Sequence, residues 1–471
     1  MANIRHLIEE NTISSDVLRL AGELSARYEQ DVYAVGGYVR DLFLGREIKE
    51  IDFMVVGDGI KFARALADEL KVKKIVPFQR FSTARIPYKK IPLEVASART
   101  ESYDESSRKP DKIRYTDLKG DLLRRDFTIN AMAIDLHPKR FGELADPFKG
   151  ILDLQAKHLV TPLDPDKTFS DDPLRMMRAA YFSAKLDMRV DPKIKESINR
   201  QAERIKIVSW ERITAEFCKI LSCPKPSIGL KLLQHTGLMK YIFPEIDAMY
   251  GLDQTSEWHH KDIFSHTLQV VDNAAALTKE MRVRFAALVH DIAKPKTRRI
   301  HEKKGYTFYG HDFFGSKIVQ KVAKRMKLPN ELNTYLQKMT ALHLRPIAIA
   351  KEDVTDSAIR RLMVVAGEDI HELMILCRAD ITTKNSRLVK KYMGNFERVE
   401  KRMQNVKELD EMAAFQSPVR GDEIMVIFGI KPGKKVGEIK SAIEEAILNG
   451  EIENNYNDAK EFLLKNKKLF L

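Results

Sequence analysis

Apolar positions in the first third of the chain change their period twice. Up to about residue 30 the rhythm is helical, with LRLAGELSARY placing apolar side chains three and four apart and Asn11, Thr12, Ser14 and Ser15 available as caps. The period then shortens. DVYAVGG reads as a strand entering a glycine turn, YVRDLFLG as a short helix closed by Gly45, and EIDFMVVG as a second strand. The amphipathic helix GIKFARALADELK follows, and after it the strand-like pieces KKIV, FSTARIPY and PLEVASAR. This order predicts an α+β head built on a small, mixed, largely non-parallel sheet. Residues 101–120, ESYDESSRKPDKIRYTDLKG, have almost no apolar period and read as a mobile loop, before RRDFTINAMAIDL gives a polar turn, a helix start and a strand.

From about residue 165 strand signals nearly vanish and helical segments succeed one another, among them DPLRMMRAAYFSAKL, WERITAEFCKIL and SIGLKLLQHTGLMKYI, so the remainder is expected to be all-helical. The expected division is a head at 1–160, a helical neck at 161–230, a histidine-rich domain at 231–385 and a helical tail at 386–471. Of 12 histidines, seven lie between 259 and 343: His259, His260, His266, His290, His301, His311 and His343. In the tail, VRGDEIMVIFGIKPGKKVGEIKSAIEEAILNGEI places a glycine- and proline-rich turn between two helices.

At 471 residues and 44% apolar composition, the chain has material for about three or four ordinary domains. Its apolar runs fall well short of the roughly 20 residues that span a bilayer, and MANIRHLIEENTISS carries charges where an export signal needs an apolar core. A cytoplasmic protein is expected, with no membrane and no obligate protein partner. Cys218, Cys223 and Cys377 form no CxxC pair and no even disulfide set, so they read as reduced packing residues. A net charge of +13 favours polyanionic partners, nucleic acid first, although a generally basic background gives the same charge.

The chemistry concentrates where the first strand turns. On an extended strand Glu50 and Asp52 project to one face, and two carboxylates side by side repel unless a cation lies between them. Hard oxygen ligands of this kind suit Mg2+, which keeps coordination positions open for substrate phosphates. Gly36 and Gly37 precede a helix N-terminus whose N–H groups can receive a phosphate oxygen, and Arg40 and Asp41 lie one turn further on. Each feature alone is most often a plain turn or a solvated strand edge; their conjunction at this spacing is the informative observation.

GGYVRDLFLG followed by EID resembles the signature of class II tRNA nucleotidyltransferases, the CCA-adding enzymes of the polymerase β superfamily. LEVASARTESY, DLLRRDFTINAMAID, DPFKGILDL and FSDDPLRMMRAAYFSAKL continue the likeness in order over roughly residues 30–225. The resemblance implies that Glu50 and Asp52 hold Mg2+, with Glu94 as a third acid or an outward strand residue. It also implies that Arg125, Asp126 and Asn130 contact the nucleotide, and that Asp172, Arg175 and Arg178 read the incoming base from one helix face. The family has Asp where this chain has Glu50, one methylene longer, so the geometry of that ligand differs. The loop at 101–120 occupies the place of the family's flexible loop.

The implied activity is template-independent addition of CCA to tRNA from CTP and ATP, with release of pyrophosphate. Related alternatives are a CC-adding or A-adding specialist and a poly(A) polymerase. Farther on, FSHTLQVV, ALVHDIAKP, FYGHDF and ALHLRP resemble the HD phosphohydrolase superfamily. That likeness implies a divalent transition metal on His266, His290 and Asp291, with His311, His343 and Asp380 as further ligands, and phosphatase or phosphodiesterase activity. A different class of reading makes the chain an HD phosphohydrolase whose head only binds RNA, or a noncatalytic RNA-binding protein. KPKTRR, HEKK and KVAKRMK could track a phosphate backbone or simply be solvated faces, and Trp210 and Trp258 read as packing residues.

Overall fold

The computed structural model describes residues 3–10, 12–89, 91–103, 110–253, 262–303, 305–350, 355–383, 385–414, 417–449 and 451–470. Trp258, His259 and His260 lie outside the described residues, as does the 104–109 portion of the expected loop.

The chain begins with two helices, Arg5–Glu9 and Thr12–Arg27, where the periodicity predicts one. The first short helix is tethered beside the head sheet: Asn3 bridges to Glu143 and the Ile4 N–H bonds the Gly142 carbonyl.

That sheet has seven strands: β1 (Val32–Val35), β2 (Ile51–Val55), β3 (Val76–Phe78), β4 (Thr83–Ile86), β5 (Leu93–Ser97), β8 (Ala133–Asp135) and β9 (Leu144–Ala145). Their order is β3-β4-β5-β2-β1-β8-β9, and β2 against β5 is the one parallel pairing within it. The period of two decides what each face does. Ile51, Phe53 and Val55 of β2 and Leu93 and Val95 of β5 enter the main core beneath the helices Thr12–Arg27 and Gly59–Glu69. Burying each such side chain contributes about 1.5–3 kcal/mol. Asp52 and Glu94 alternate with these residues and therefore stand on the opposite face.

Part of the expected loop at 101–120 is regular. β6 (Arg99–Tyr103) and β7 (Pro110–Tyr115) form an antiparallel hairpin, and the helix Leu118–Leu123 starts on the Asp117 cap. Backbone pairing satisfies these strands without an apolar stripe, which is why periodicity missed them.

Beyond the head the chain is mostly helical, with Leu174–Leu186 and Trp210–Leu221 in the neck. The expectation of an all-helical remainder needs correcting at two places. His158–Leu159 pairs with Arg189–Val190, and Arg299–His301 pairs with Gly305–Thr307. Both pairings are too short to leave a periodic signature. In the histidine-rich region the helices are Ile263–Leu277, Met281–Val289, His311–Arg325, Asn330–Leu342 and Ile370–Ala379.

The chain forms two compact units, one of residues 1–344 with 371–384 and one of residues 345–370 with 385–471. The second is helical. Within it Ile424, Phe428, Ile439, Ile443 and Leu463 share a core, and Gly429 at φ +65° closes the helix Gly421–Phe428 before the GIKPG turn. Among the described residues no helix is long and apolar enough to cross a membrane.

Candidate active site

A cleft of about 1360 Å³ lies over the second face of the head sheet, bounded by the helices Leu174–Leu186 and Trp210–Leu221. Gly36, Gly37, Arg40, Asp41, Glu50, Asp52, Glu94, Arg125, Asp126, Asn130, Asp172, Arg175 and Arg178 all line it. The sequence-predicted residues of head and neck thus share one cavity.

Three carboxylates occupy its floor. Asp52 is flanked by Val35 of β1 on one side and by Glu94 of β5 on the other, and Glu50, just before β2, lines the same cleft. Burial, and then the Glu50 charge, push the Asp52 carboxyl up to about 7, with Arg125 and Arg40 offsetting only part of the rise. Glu94 is raised for the same two reasons, partial desolvation first and Glu50 second. The floor is short of positive charge, and an oxygen-rich, uncompensated set of this kind fits a hard divalent cation.

The glycine turn borders that floor. Gly36 has φ +71°, and a Cβ built there would lie 2.8 Å from Arg125 Nη1 and 3.5 Å from Asp52 Oδ2. Glycine is therefore required by conformation and by space. The helix Gly37–Phe43 starts here, so its first N–H groups border the cleft.

Arg40 departs from the free phosphate donor that spacing suggests. It is buried: Nε and Nη2 donate to the two Asp41 oxygens at 2.9 and 2.8 Å, Nη1 donates to Asn130 Oδ1 at 2.6 Å, and the group lies over the Phe182 ring. Asn130 Nδ2 in turn donates to Asp126 Oδ1 at 3.0 Å, and Arg178 Nε donates to Asp126 Oδ2 at 2.6 Å. A continuous chain, Asp41 to Arg40 to Asn130 to Asp126 to Arg178, thus joins the glycine-turn helix to the neck. Burial works to raise the Asp126 carboxyl, but Arg178 and Asn130 outweigh it and hold it below its ordinary value.

The neck motif also departs from its expected geometry. Asp172 is not on the helix with Arg175 and Arg178. Its backbone is extended (φ −142°, ψ 102°) because the residue before Pro173 is sterically driven out of the helical region. From there its Oδ1 accepts from the Leu174 N–H at 3.1 Å. Arg175 donates to the carbonyls of Arg124 (2.7 Å) and Thr168 (3.3 Å).

Two residues escaped the sequence reading. Asp121, buried, accepts from Arg124 (2.6 Å) and Arg125 (3.0 Å); its signal was the i,i+3 and i,i+4 spacing in DLLRR. Arg212 pairs with Asp172 at 3.2 Å from another helix, which no local pattern could disclose.

The histidine-rich region assembles a second centre. Asp291 Oδ2 lies 3.1 Å from His290 Nε2 and 3.5 Å from His266 Nε2, and its Oδ1 lies 3.2 Å from His311 Nε2 and 3.8 Å from His343 Nε2. Asp380 Oδ1 is 3.1 Å from His266 Nε2 and 3.5 Å from His290 Nε2. All six expected residues meet. They fall into two groups able to hold a metal ion, His266 with His290 and Asp380, and Asp291 with His311 and His343.

Each imidazole is oriented through its other nitrogen. The Nδ1 atoms of His290, His311 and His343 face the carbonyls of Ala287, Phe308 and Thr340 at 2.7–2.8 Å, and His266 Nδ1 faces Thr382 Oγ1 at 3.0 Å. That arrangement leaves the Nε2 atoms as ligands. His290 Nε2 and Asp380 Oδ1 are buried and make no hydrogen bond of good geometry. Orphaned atoms of this donor set fit divalent metal ions. Lys294 Nζ, 2.6 Å from Asp291, supplies one further cation. Although burial disfavours the imidazolium, Asp291 and Asp380 push His290 up to about 10, while burial and then the His290 charge press His343 down to about 4.

Comparison with known proteins covers the same segments. Residues 32–160 match the poly A polymerase head domain, 187–250 the probable RNA- and SrmB-binding site of polymerase A, and 263–385 the HD domain. Head and HD domains of these kinds generally use divalent metals. The chain is 35% identical to the multifunctional CCA protein of Shewanella frigidimarina over 309 residues, 64% of this chain and 70% of that one. It is 32% identical to the Vibrio parahaemolyticus multifunctional CCA protein over 368 residues, 74% of this chain and 84% of that one. Among solved structures, the Thermotoga maritima CCA-adding enzyme complexed with tRNA-CCA superposes with TM-score 0.60 at 22% identity, covering 98% of both chains. A CCA-adding enzyme complexed with CTP gives TM-score 0.60 at 22% identity over 99% of this chain and 97% of that one.

Proposed function

The chain belongs to the family of the multifunctional CCA proteins, and from that premise we propose how its cleft works as a CCA-adding tRNA nucleotidyltransferase. The enzyme adds C, C and A to tRNA 3′ ends from CTP and ATP without a nucleic acid template and releases pyrophosphate. One observation carries the assignment of its catalytic floor: Glu50, Asp52 and Glu94 line the cleft together beside the Gly36 turn, with Asp52 and Glu94 paired across adjacent strands, and burial and the Glu50 charge raise the Asp52 carboxyl.

Glu50 and Asp52, with Glu94 beside them, would hold Mg2+. Bound there, such an ion would supply Lewis-acid help to the RNA 3′-hydroxyl and offset charge at the α-phosphate. The chain's own groups do the positioning. Arg125, whose Nε and Nη2 donate to Asp121, is held with Nη1 at the glycine turn, where it would meet triphosphate oxygens. Arg40 and Asp41 act behind it, fixing Asn130 and hence Asp126. Asp172 offers an acceptor, and Arg175 and Arg178 offer donors, toward the edge of the incoming base. Small rotations let such a pair match cytosine or adenine.

At the second centre we assign metal-dependent hydrolysis of phosphate esters to His266, His290, Asp291, His311, His343 and Asp380. A divalent ion bound there supplies an activated water. The six-residue cluster, with His290 Nε2 and Asp380 Oδ1 buried and unsatisfied, favours this additional activity. A cytoplasmic location is part of the same reading.

Incubating the protein with tRNA ending at the discriminator base, Mg2+ and each nucleotide singly and together tests the addition activity. Full CCA products from CTP plus ATP support it. Arrest after two cytidines, or addition of adenosine only to tRNA already ending in CC, would make the enzyme a specialist.

A further inference from the structure

The histidine–carboxylate centre reaches solvent at two of its six residues. Asp380 keeps 20% and His311 keeps 11% of their side-chain surface, against 2% or less for the other four. His311 is thus one of the two places where the centre meets solvent, and what surrounds it is unusual. Tyr309, Phe313 and Phe314, two or three residues away, are 70%, 57% and 51% exposed. Phe313 and Phe314 meet edge to face with centroids 5.6 Å apart, and Lys317 stands over the Phe313 ring at 4.2 Å. Phe308 links the cluster to the centre: its carbonyl faces His311 Nδ1, and its ring lies 5.4 Å from Lys294 Nζ.

The stretch of sequence around His311 is strongly basic, although Arg325 at its end is paired with Glu245. Residues 296–325 carry nine Lys and Arg against two acids, Glu302 and Asp312. Arg298 lies flat against Tyr306 at 3.6 Å, and its buried Nε has no hydrogen-bond partner. Exposed rings with interleaved cations complement a partner that is both aromatic and polyanionic. An apolar protein surface would leave the cations without a match, whereas unpaired nucleotides satisfy both features by stacking and by phosphate contact.

We propose that Tyr309, Phe313, Phe314, Arg298 and Lys317 form a docking surface for the unpaired end of an RNA strand at the mouth of the histidine–carboxylate centre. The inference rests on reading that centre as a phosphate-ester site, and its test separates the two. The full-length protein is irradiated with a uridine pentanucleotide carrying 4-thiouridine at its 3′ position, and the crosslinked peptides are mapped by mass spectrometry. A crosslink within residues 305–325 is expected. Its yield, titrated against oligonucleotide, should shift to about fivefold or more higher concentration for each ring removed in Phe313→Ala and Phe314→Ala. Phe313→Tyr with Phe314→Tyr should restore the wild-type titration. These side chains are exposed, so the variants should keep the wild-type melting temperature. Absence of the crosslink from this segment, or an unchanged titration in the double alanine variant, overturns the docking surface and leaves the patch to a protein partner. A crosslink without hydrolysis of phosphate esters upholds the docking surface and instead removes the phosphohydrolase reading. Hydrolysis without the crosslink does the reverse.

Discussion

Asp126 of the head accepts a 2.6 Å hydrogen bond from Arg178 Nε of the neck, 52 residues away in sequence. This contact ends the hydrogen-bonded chain that begins at Asp41, so the glycine-turn helix and the neck wall of the cleft share one support. Asp126→Ala would leave Arg178 and the Asn130 amide without their acceptor, at a cost of about 3 kcal/mol. The first urea unfolding transition should move to lower denaturant. Arg178→Lys keeps the charge but loses the fork, and kcat/KM for both CTP and ATP should fall about tenfold with a much smaller loss of stability.

The raised Asp52 carboxyl gives a pH dependence of defined sign. At about 7 in the fold against an ordinary 3.8, the group binds its proton more tightly folded than unfolded. Its contribution to stability is complete below 3.8 and is lost as pH rises through about 7 in the metal-free protein. Mg2+ must displace that proton, so the rise in melting temperature on adding Mg2+ should be larger at pH 8 than at pH 6. In Asp52→Asn the difference should vanish.

Gly36→Ala brings together a strained positive φ and a Cβ 2.8 Å from Arg125 Nη1. The backbone term costs about 1–3 kcal/mol, and Arg125 must leave the turn. Nucleotide addition should drop at least about tenfold, with KM for both nucleotides rising. Gly45→Ala has the same strain (φ +58°) but open space around it, and should cost stability without raising KM.

The two ligand groups of the second centre predict up to two divalent ions per chain by elemental analysis of the purified protein. His290→Ala with Asp291→Ala should abolish them and remove the destabilisation that a chelator causes in the wild type. Nucleotide addition at saturating Mg2+ should stay within about twofold of wild type.

Much of this was legible because it is local. Period two placed Glu50 and Asp52 on one face, the glycine doublet marked the turn, and the HD pair ended an apolar run. What the sequence concealed was set by steric or long-range effects. Pro173 displaced Asp172 from its expected helix, and the partnership of Arg40 with Asn130 and of Arg212 with Asp172 required the fold to exist. Hairpin β6–β7 carried no apolar stripe, so it looked like a loop. His266, His290, His311 and His343, with Asp380 further on, met at one point only once the helices had packed.

The most direct test of the account is nucleotide addition by Asp52→Asn measured beside His290→Ala, on tRNA lacking its terminal CCA. Removing one of the two principal Mg2+ ligands should lower kcat by about a thousandfold or more, while the histidine variant retains addition. Retained addition in Asp52→Asn, with loss in His290→Ala, would contradict the account and reduce the head to an RNA-binding platform for the histidine–carboxylate centre.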